Sequence, residues 1–206
     1  MDYFRTQYEK FYEGDEYFWG LEPAPFLDNL LKIVDKDLSE VKVLDIGCGE
    51  GKDAVYMAKQ GCKVSAFDIT ESGIRKTKLL AEKNDVQIDA FVADINNFEI
   101  KDTFDIIYST GTIQYLFDDN IEPFFNKLKE MTNIGGYVYF NVFVDKPYLD
   151  LPPDWDKEEK MWKTGQLFSY FSDWELLDIS ETIFECNSSG IKHLHCMDNI
   201  IAKRRV

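Results

Sequence analysis

The 206-residue chain predicts an α/β fold, a doubly wound and mostly parallel sheet with helices on both faces. Three observations predict it. Apolar strand-like runs alternate with helical patterns from about residue 41 to residue 131. The first run breaks into three alternate glycines and then enters a helix, the start expected of a βαβ unit. Two late strand-like runs, separated by a turn-forming tetrapeptide, add an antiparallel hairpin at one edge.

Taken in order, residues 2–18 carry Tyr3, Phe4, Tyr8, Phe11 and Tyr12 at spacings of one helical face, which reads as a lid or packing helix. Trp19-Gly20-Leu21-Glu22-Pro23 interrupts the pattern, and 25–34 resumes it as a second helix. Strands are expected at 41–46, 63–68, 87–92, 104–109 and 136–144, with helices at 53–59, 71–83 and 120–131. The two late runs cover 174–186 and 192–204 and flank Asn187-Ser188-Ser189-Gly190. Before them, residues 145–165 contain Pro147, Pro152 and Pro153 among charged residues and read as an insertion loop. That loop follows the fifth strand, on the carboxyl edge where open α/β sheets hold ligands, so it is placed to cover an acceptor pocket. The whole chain, 1–206, reads as one domain, with N-terminal helices in 1–35 and the sheet core in 41–206.

Hydrophobic residues make up 45% of the chain and aromatics 15%, enough for a full core. A formal net charge of −15 repels polyanions, which argues against nucleic acid and anionic membrane surfaces as partners. The four cysteines, Cys48, Cys62, Cys186 and Cys196, show no C-x-x-C or other metal spacing, so no metal site is expected. No signal-like apolar segment precedes the first motif, and no run approaches the roughly 18 residues of a membrane span. A cytoplasmic protein with reduced thiols is the expectation.

The glycine turn is the most informative stretch. It runs Val41-Lys42-Val43-Leu44-Asp45-Ile46-Gly47-Cys48-Gly49-Glu50-Gly51. Glycines that lack a Cβ and tolerate positive φ let a ligand approach the backbone. The spacing is G-x-G-x-G rather than the G-x-G-x-x-G of dinucleotide sites, and Asp45, Glu50 and Asp53 surround it. Three carboxylates oppose a pyrophosphate and suit a nucleoside with a cationic end, which disfavours a nicotinamide-dependent oxidoreductase. S-adenosylmethionine, with its sulfonium and ammonium, fits. Asp68 ends the second strand 23 residues beyond Asp45, where a carboxylate meets ribose hydroxyls. Asp45 is placed to meet the ammonium, or else caps the following helix.

The segment from Val43 to Gly51, with Asp68 and Val92-Ala93-Asp94-Ile95, resembles the cofactor motifs of class I S-adenosylmethionine-dependent methyltransferases. Tyr17-Phe18-Trp19-Gly20-Leu21-Glu22-Pro23 and the closing stretch from Gly165 to Arg204 are similar to the small-molecule group related to tellurite-resistance and thiopurine methyltransferases. The resemblance implies a Rossmann-like sheet of seven strands. It also implies a cofactor set of Asp45, Gly47, Gly49, Gly51, Asp68, Ile69, Asp94, Ile95, Ser109 and Trp19, with Asp94 and the Ile95 amide toward adenine. For Asp94 a helix N-cap is the competing reading. For Trp19 the two readings are a lid giving cation–π contact to the sulfonium and a core anchor for the first helix.

At the acceptor end the residues say less. Phe104-Asp105-Ile106-Ile107-Tyr108-Ser109 leads into Thr110-Gly111-Thr112-Ile113-Gln114-Tyr115, without the Asn or Asp, two prolines and aromatic that grip an extruded base. His193 and His195 alternate on one strand face and can accept a proton from an acceptor or offer a positive edge to an oxyanion; otherwise they are sheet-surface residues. That segment has Lys192 and no arginine before Arg204, a departure from the histidine and arginine expected together for oxyanion acceptors. The expected activity is methyl transfer to a small molecule: a thiol, a selenium or tellurium species, or an apolar heteroaromatic. The other reading kept open is a catalytically silent nucleoside-binding module with a protein partner.

Overall fold

Consecutive side chains of a strand point to opposite faces, and in the central strands both faces are apolar, so the sheet is buried on both sides. Val43, Ile106 and Tyr137 pack in one core with Leu27, Leu30 and Met57. Their neighbours Leu44, Ile107 and Val138 pack in the other with Phe125, Phe140 and Trp162. The computed structural model describes residues 2–153, 155, 159–187 and 190–206.

Among the described residues seven strands form one sheet: β1 (Lys42–Ile46), β2 (Lys63–Asp68), β3 (Ile88–Val92), β4 (Phe104–Ser109), β5 (Thr132–Phe143), β6 (Glu175–Cys186) and β7 (His193–Lys203). Their order is β3-β2-β1-β4-β5-β7-β6. The first five pair in parallel. β7 pairs antiparallel with both β5 and β6. The helices are α1 (Asp2–Tyr12), α2 (Leu27–Lys32), α3 (Lys52–Lys59), α4 (Glu71–Lys83), α5 (Asp118–Met131) and the short α6 (Gln166–Ser169). Strand order reverses between β1 and β4, which opens a crevice at their carboxyl ends. Because β7 runs the other way, its first residues and the last residues of β6 reach that same edge.

Four boundaries differ from the sequence reading. The first helix stops at Tyr12 rather than near 18, because Glu13-Gly14-Asp15-Glu16 combines a glycine with three like charges. The second helix covers six residues, not 25–34. β5 starts at Thr132, straight from α5, and a register shift opposite Phe104 and Ile106 absorbs the extra residues, with Gly135 at φ 82°. The 145–165 segment is partly core: Val144 bridges Trp162, which is fully buried against Phe125. Its Asp154 and residues 156–158, and Ser188 and Ser189 of the expected hairpin turn, lie outside the described residues.

α1 is held on the sheet edge by two devices. Phe4 packs on Tyr115 at 4.6 Å, and the Tyr8 and Tyr115 hydroxyls are 2.6 Å apart. At the other side the Glu9 carboxylate accepts from the backbone N–H groups of Glu71 (2.6 Å) and Ser72 (3.1 Å), capping the N-terminus of α4. Partial burial pushes the Glu9 carboxyl up, but the bonds from the Ser72 side chain and the two amides outweigh it and hold it below its ordinary value of 4.5.

A lowered carboxyl stabilises the fold above its unfolded-state value, and the contribution is lost as pH falls through the lower folded value. Glu9→Ala should therefore lower the melting temperature at pH 7 by roughly 1–4 °C, for about 0.5–1 kcal/mol of lost capping at a half-exposed site. In thermal melts the gap from wild type should close below pH 4; an unchanged gap there would remove the capping role.

Candidate functional site

The crevice is a cavity of about 740 Å³ along the carboxyl edge of the sheet. One end is walled by the glycine turn, Asp68 and Ile69, with α1 supplying Phe4, Tyr8 and Tyr12. The other end is walled by Asn141 and Phe143 of β5, Trp155 and Glu159 of the 145–165 segment, and Phe184, Cys186, His195 and Met197 of the β6/β7 hairpin. The Tyr115 hydroxyl donates to Glu159 Oε1 at 3.2 Å, tying the 145–165 segment to the stretch after β4.

The turn needs its glycines for more than ligand approach. Gly47, at φ 72°, faces Thr112 so closely that a β-carbon would overlap the threonine side chain. Gly51, at φ 86°, would place one 2.6 Å from Thr77 of α4. Gly49 lies open to the cavity beside the Tyr12 hydroxyl and the Trp19 indole. Gly73, absent from the sequence reading, would drive a β-carbon to 2.7 Å from the Gly49 carbonyl oxygen. No motif marks Gly73, since its need arises where two segments cross.

Charges around the turn are unequal. Glu50 forms a buried ion pair with Lys76 at 2.7 Å, and its second oxygen accepts from the Trp19 N–H at 3.2 Å. Asp53 accepts from the Ala24 N–H (2.8 Å) and the Tyr108 hydroxyl (2.7 Å). Both carboxylates therefore fasten the chain to itself, and Lys76 cancels one of the negative charges that the sequence suggested would face a ligand. Asp45 differs. It is 2% exposed, it lines the cavity, and its Oδ2 has no hydrogen-bond partner among the described residues. Burial, then the charges of Asp53 and Asp68, push its carboxyl well above the ordinary 3.8.

Asp68 also lines the cavity. Its Oδ1 accepts from the Thr70 N–H (3.0 Å) and hydroxyl (2.6 Å), and its Oδ2 from the Gly49 N–H (2.9 Å). Burial raises it, and those three bonds offset part of the rise. Oδ1 spends both its lone pairs on Thr70, while Oδ2, with one bond from Gly49, keeps a lone pair for a hydroxyl. Ile69 and Ile95 reach the wall, and Trp19, 48% exposed, stands at its rim with its indole N–H on Tyr12 at 2.9 Å. Three expected residues are off the wall: Gly51, Asp94 and Ser109 are not among the lining residues. Asp94 accepts from the Asn96 N–H at 2.8 Å in a turn, with no helix following for it to cap, and its neighbours Ala93 and Ile95 line the cavity. Ser109 donates to the Ile46 carbonyl at 2.8 Å, joining the ends of β4 and β1. At the acceptor end His195 is buried on the wall beside Phe143, 4.9 Å between ring centres, while His193 sits behind it with the two Nε2 atoms 3.0 Å apart. Gln114, which lies within the Thr110–Tyr115 stretch but to which the sequence assigns no role, is buried on the wall, its Oε1 without a hydrogen-bond partner among the described residues.

Known proteins are similar to this chain in sequence and in fold. A family model described as the tellurite resistance protein TehB matches residues 15–192. The chain belongs to the TehB family. Among curated TehB proteins, the probable S-adenosyl-L-methionine-dependent methyltransferase TehB of Haemophilus influenzae (strain Rd) is 30% identical over 154 residues, 75% of this chain and 53% of that protein. The chain thus spans about half the length of that curated TehB relative. The crystal structure of TehB from Haemophilus influenzae superposes with a TM-score of 0.78 at 24% identity, covering 97% of this chain and 66% of that one. Magnesium protoporphyrin IX methyltransferase from Synechocystis, with bound S-adenosylhomocysteine, gives 0.69 at 15% identity over 98% and 97% of the two chains. These likenesses establish the TehB-type fold. No described helix is long and apolar enough to cross a membrane.

Two substitutions test the electrostatics. Lys76→Met leaves Glu50 buried without its cation and should cost about 3–5 kcal/mol in denaturant melts, whereas pairing it with Glu50→Gln should recover most of the loss. Asp45→Asn should do the reverse. A carboxyl raised in the folded state destabilises it at pH above the folded value, and that penalty vanishes below the unfolded value. The variant should therefore melt about 2–4 °C higher at pH 8, for about 1 kcal/mol gained, and equal wild type near pH 3. A lower melting point at pH 8 would mean that Asp45 is already paired.

Proposed function

We propose that this chain transfers a methyl group from S-adenosylmethionine to a small-molecule acceptor in the cytoplasm. The observation that carries the reading is the unpartnered Asp45 oxygen, buried beside a glycine turn in a cavity walled by a second acid at a strand end. A buried carboxylate without a partner is costly and calls for a cationic ligand. The ammonium of S-adenosylmethionine satisfies it, and the lone pair left on Asp68 Oδ2 suits a ribose hydroxyl. TehB relatives bearing that cofactor in their names, and the chain's acidic net charge of −15, point the same way and away from nucleic acid.

When bound, the cofactor would supply its methyl carbon to an attacking nucleophile in line with the departing thioether, with loss of the sulfonium charge. The chain's residues then have three tasks. Asp45 anchors the ammonium, and Asp68 with the Gly47–Gly49 backbone anchors the nucleoside end. Trp19 and the α1 aromatics exclude water and offer ring faces to a cation. Phe143, Trp155 and Met197 give apolar cover to an acceptor, with His195 placed to accept its proton. Such positioning can supply about 7–11 kcal/mol of the barrier in favourable cases, so no strong acid is required. A thiol, a selenium or tellurium species or an apolar heteroaromatic fits an acceptor end of this kind.

A ligand held only by the native state at about 100 times its Kd adds about 2.7 kcal/mol, so S-adenosylhomocysteine should raise the melting temperature by roughly 5–10 °C and NAD should not. Asp45→Asn should abolish most of that rise. Incubation with labelled S-adenosylmethionine and a panel of thiols should transfer label, and His195→Ala should slow it about 10²-fold. Binding with no transfer to any acceptor would leave a silent binding module; a shift with NAD alone would reject the reading.

A further inference from the structure

The end of the β6/β7 hairpin gathers three metal-type ligands that linear spacing hides. In register, Cys186 stands opposite His193 and Phe184 opposite His195, so alternate residues bring Cys186, His193 and His195 to one face. Their ligating atoms, one sulfur and two ring nitrogens, lie within 4.8 Å of one another. His193 Nδ1 is 2.7 Å from the Ile191 carbonyl oxygen. A carbonyl can only accept, so Nδ1 carries the hydrogen and a neutral His193 holds its lone pair on Nε2. That nitrogen points at His195 Nε2, 3.0 Å away. A carbonyl fixing one ring nitrogen while the other is aimed inward is how ligating histidines are set for a cation.

From this geometry we infer that Cys186, His193 and His195 bind a borderline-soft divalent cation of the Zn²⁺ class. One thiolate with two imidazoles suits such an ion and not the oxygen-seeking Mg²⁺ or Ca²⁺. Tetrahedral binding with metal–nitrogen bonds of about 2.0–2.1 Å sets the nitrogens about 3.3 Å apart, so the rings need part by only a few tenths of an ångström. Binding releases one proton, from the Cys186 thiol. The hydrogen between the rings moves from His195 Nε2 to its Nδ1, and no electron is transferred. Three protein ligands leave a fourth position, and Cys186 and His195 both line the cavity, so that position faces the acceptor end. The cation site stands whether or not the cavity transfers methyl groups. Its use, to hold an acceptor as its thiolate, rests on the reading above and replaces His195 as the proton acceptor when metal is bound.

Tag-free protein stripped with a chelator and titrated with Co²⁺ tests this. One equivalent should give a thiolate-to-cobalt charge-transfer band and strong d–d absorption, both erased by equimolar Zn²⁺. Cys186→Ser should lose the charge-transfer band, and His195→Ala should weaken Co²⁺ at least tenfold, with circular dichroism melts showing both variants folded. A small thiol should alter the d–d envelope of the Co²⁺ form. A folded wild type with no charge-transfer band, or a band that survives in Cys186→Ser, overturns the site; an envelope indifferent to thiols overturns the open fourth position. Failure of methyl transfer would leave the Co²⁺ spectra unchanged, so the two readings fail separately.

Discussion

Close backbone approach at the glycine turn is the constraint on which the rest of the site depends. Gly47 lies under Thr112, Gly51 against Thr77, and Gly73 under the Gly49 carbonyl, each with no room for a β-carbon. These contacts seat α4 and the turn after β4 against the end of β1. They also bring Asp45 and Asp68 to one cavity wall. Relaxing any of them separates the walls, because an interior packed to crystal-like density has no slack to absorb a methyl group.

Charge is then sorted by partner rather than by sign. Glu50 and Asp53 belong to the same acidic stretch as Asp45, yet they end as internal fasteners: Glu50 holds Lys76 and the Trp19 strap, and Asp53 holds Ala24 and Tyr108. Asp45 alone of those three keeps an unpartnered oxygen. On the proposed reading, a cationic ligand is selected by one uncompensated buried carboxylate, a sharper device than a ring of negative charge. Phosphates are still disfavoured, since the Lys76 ammonium is consumed by Glu50 and by the Glu16 carbonyl.

Much of the fold was legible because period and punctuation are local. The strand ends at Ile46, Asp68 and Ser109 fall where apolar runs stop, and both faces of the central strands announce a doubly covered sheet. Boundaries failed where tertiary contacts decide: Thr132 extends β5 because a register shift against β4 accommodates the extra residues, and Trp162 turns part of an apparent loop into core. The expected cofactor residues divide the same way. Asp45, Gly47, Gly49, Asp68, Ile69, Ile95 and Trp19 reach the cavity, whereas Gly51 and Ser109 serve packing and strand-end contacts and Asp94 caps a turn.

By itself the sequence determined an α/β sheet with a nucleoside-type turn, since glycine spacing, strand-end acids and apolar period act over a few residues. Tertiary structure alone decided which acid stays unpaired and which residues meet across a hairpin. Lys76 reaches Glu50 from a helix 26 positions on, and Cys186 meets His193 and His195 only through strand register. Pairing of that kind depends on distance in space, and the order of residues along a chain leaves such distances unstated until packing sets them.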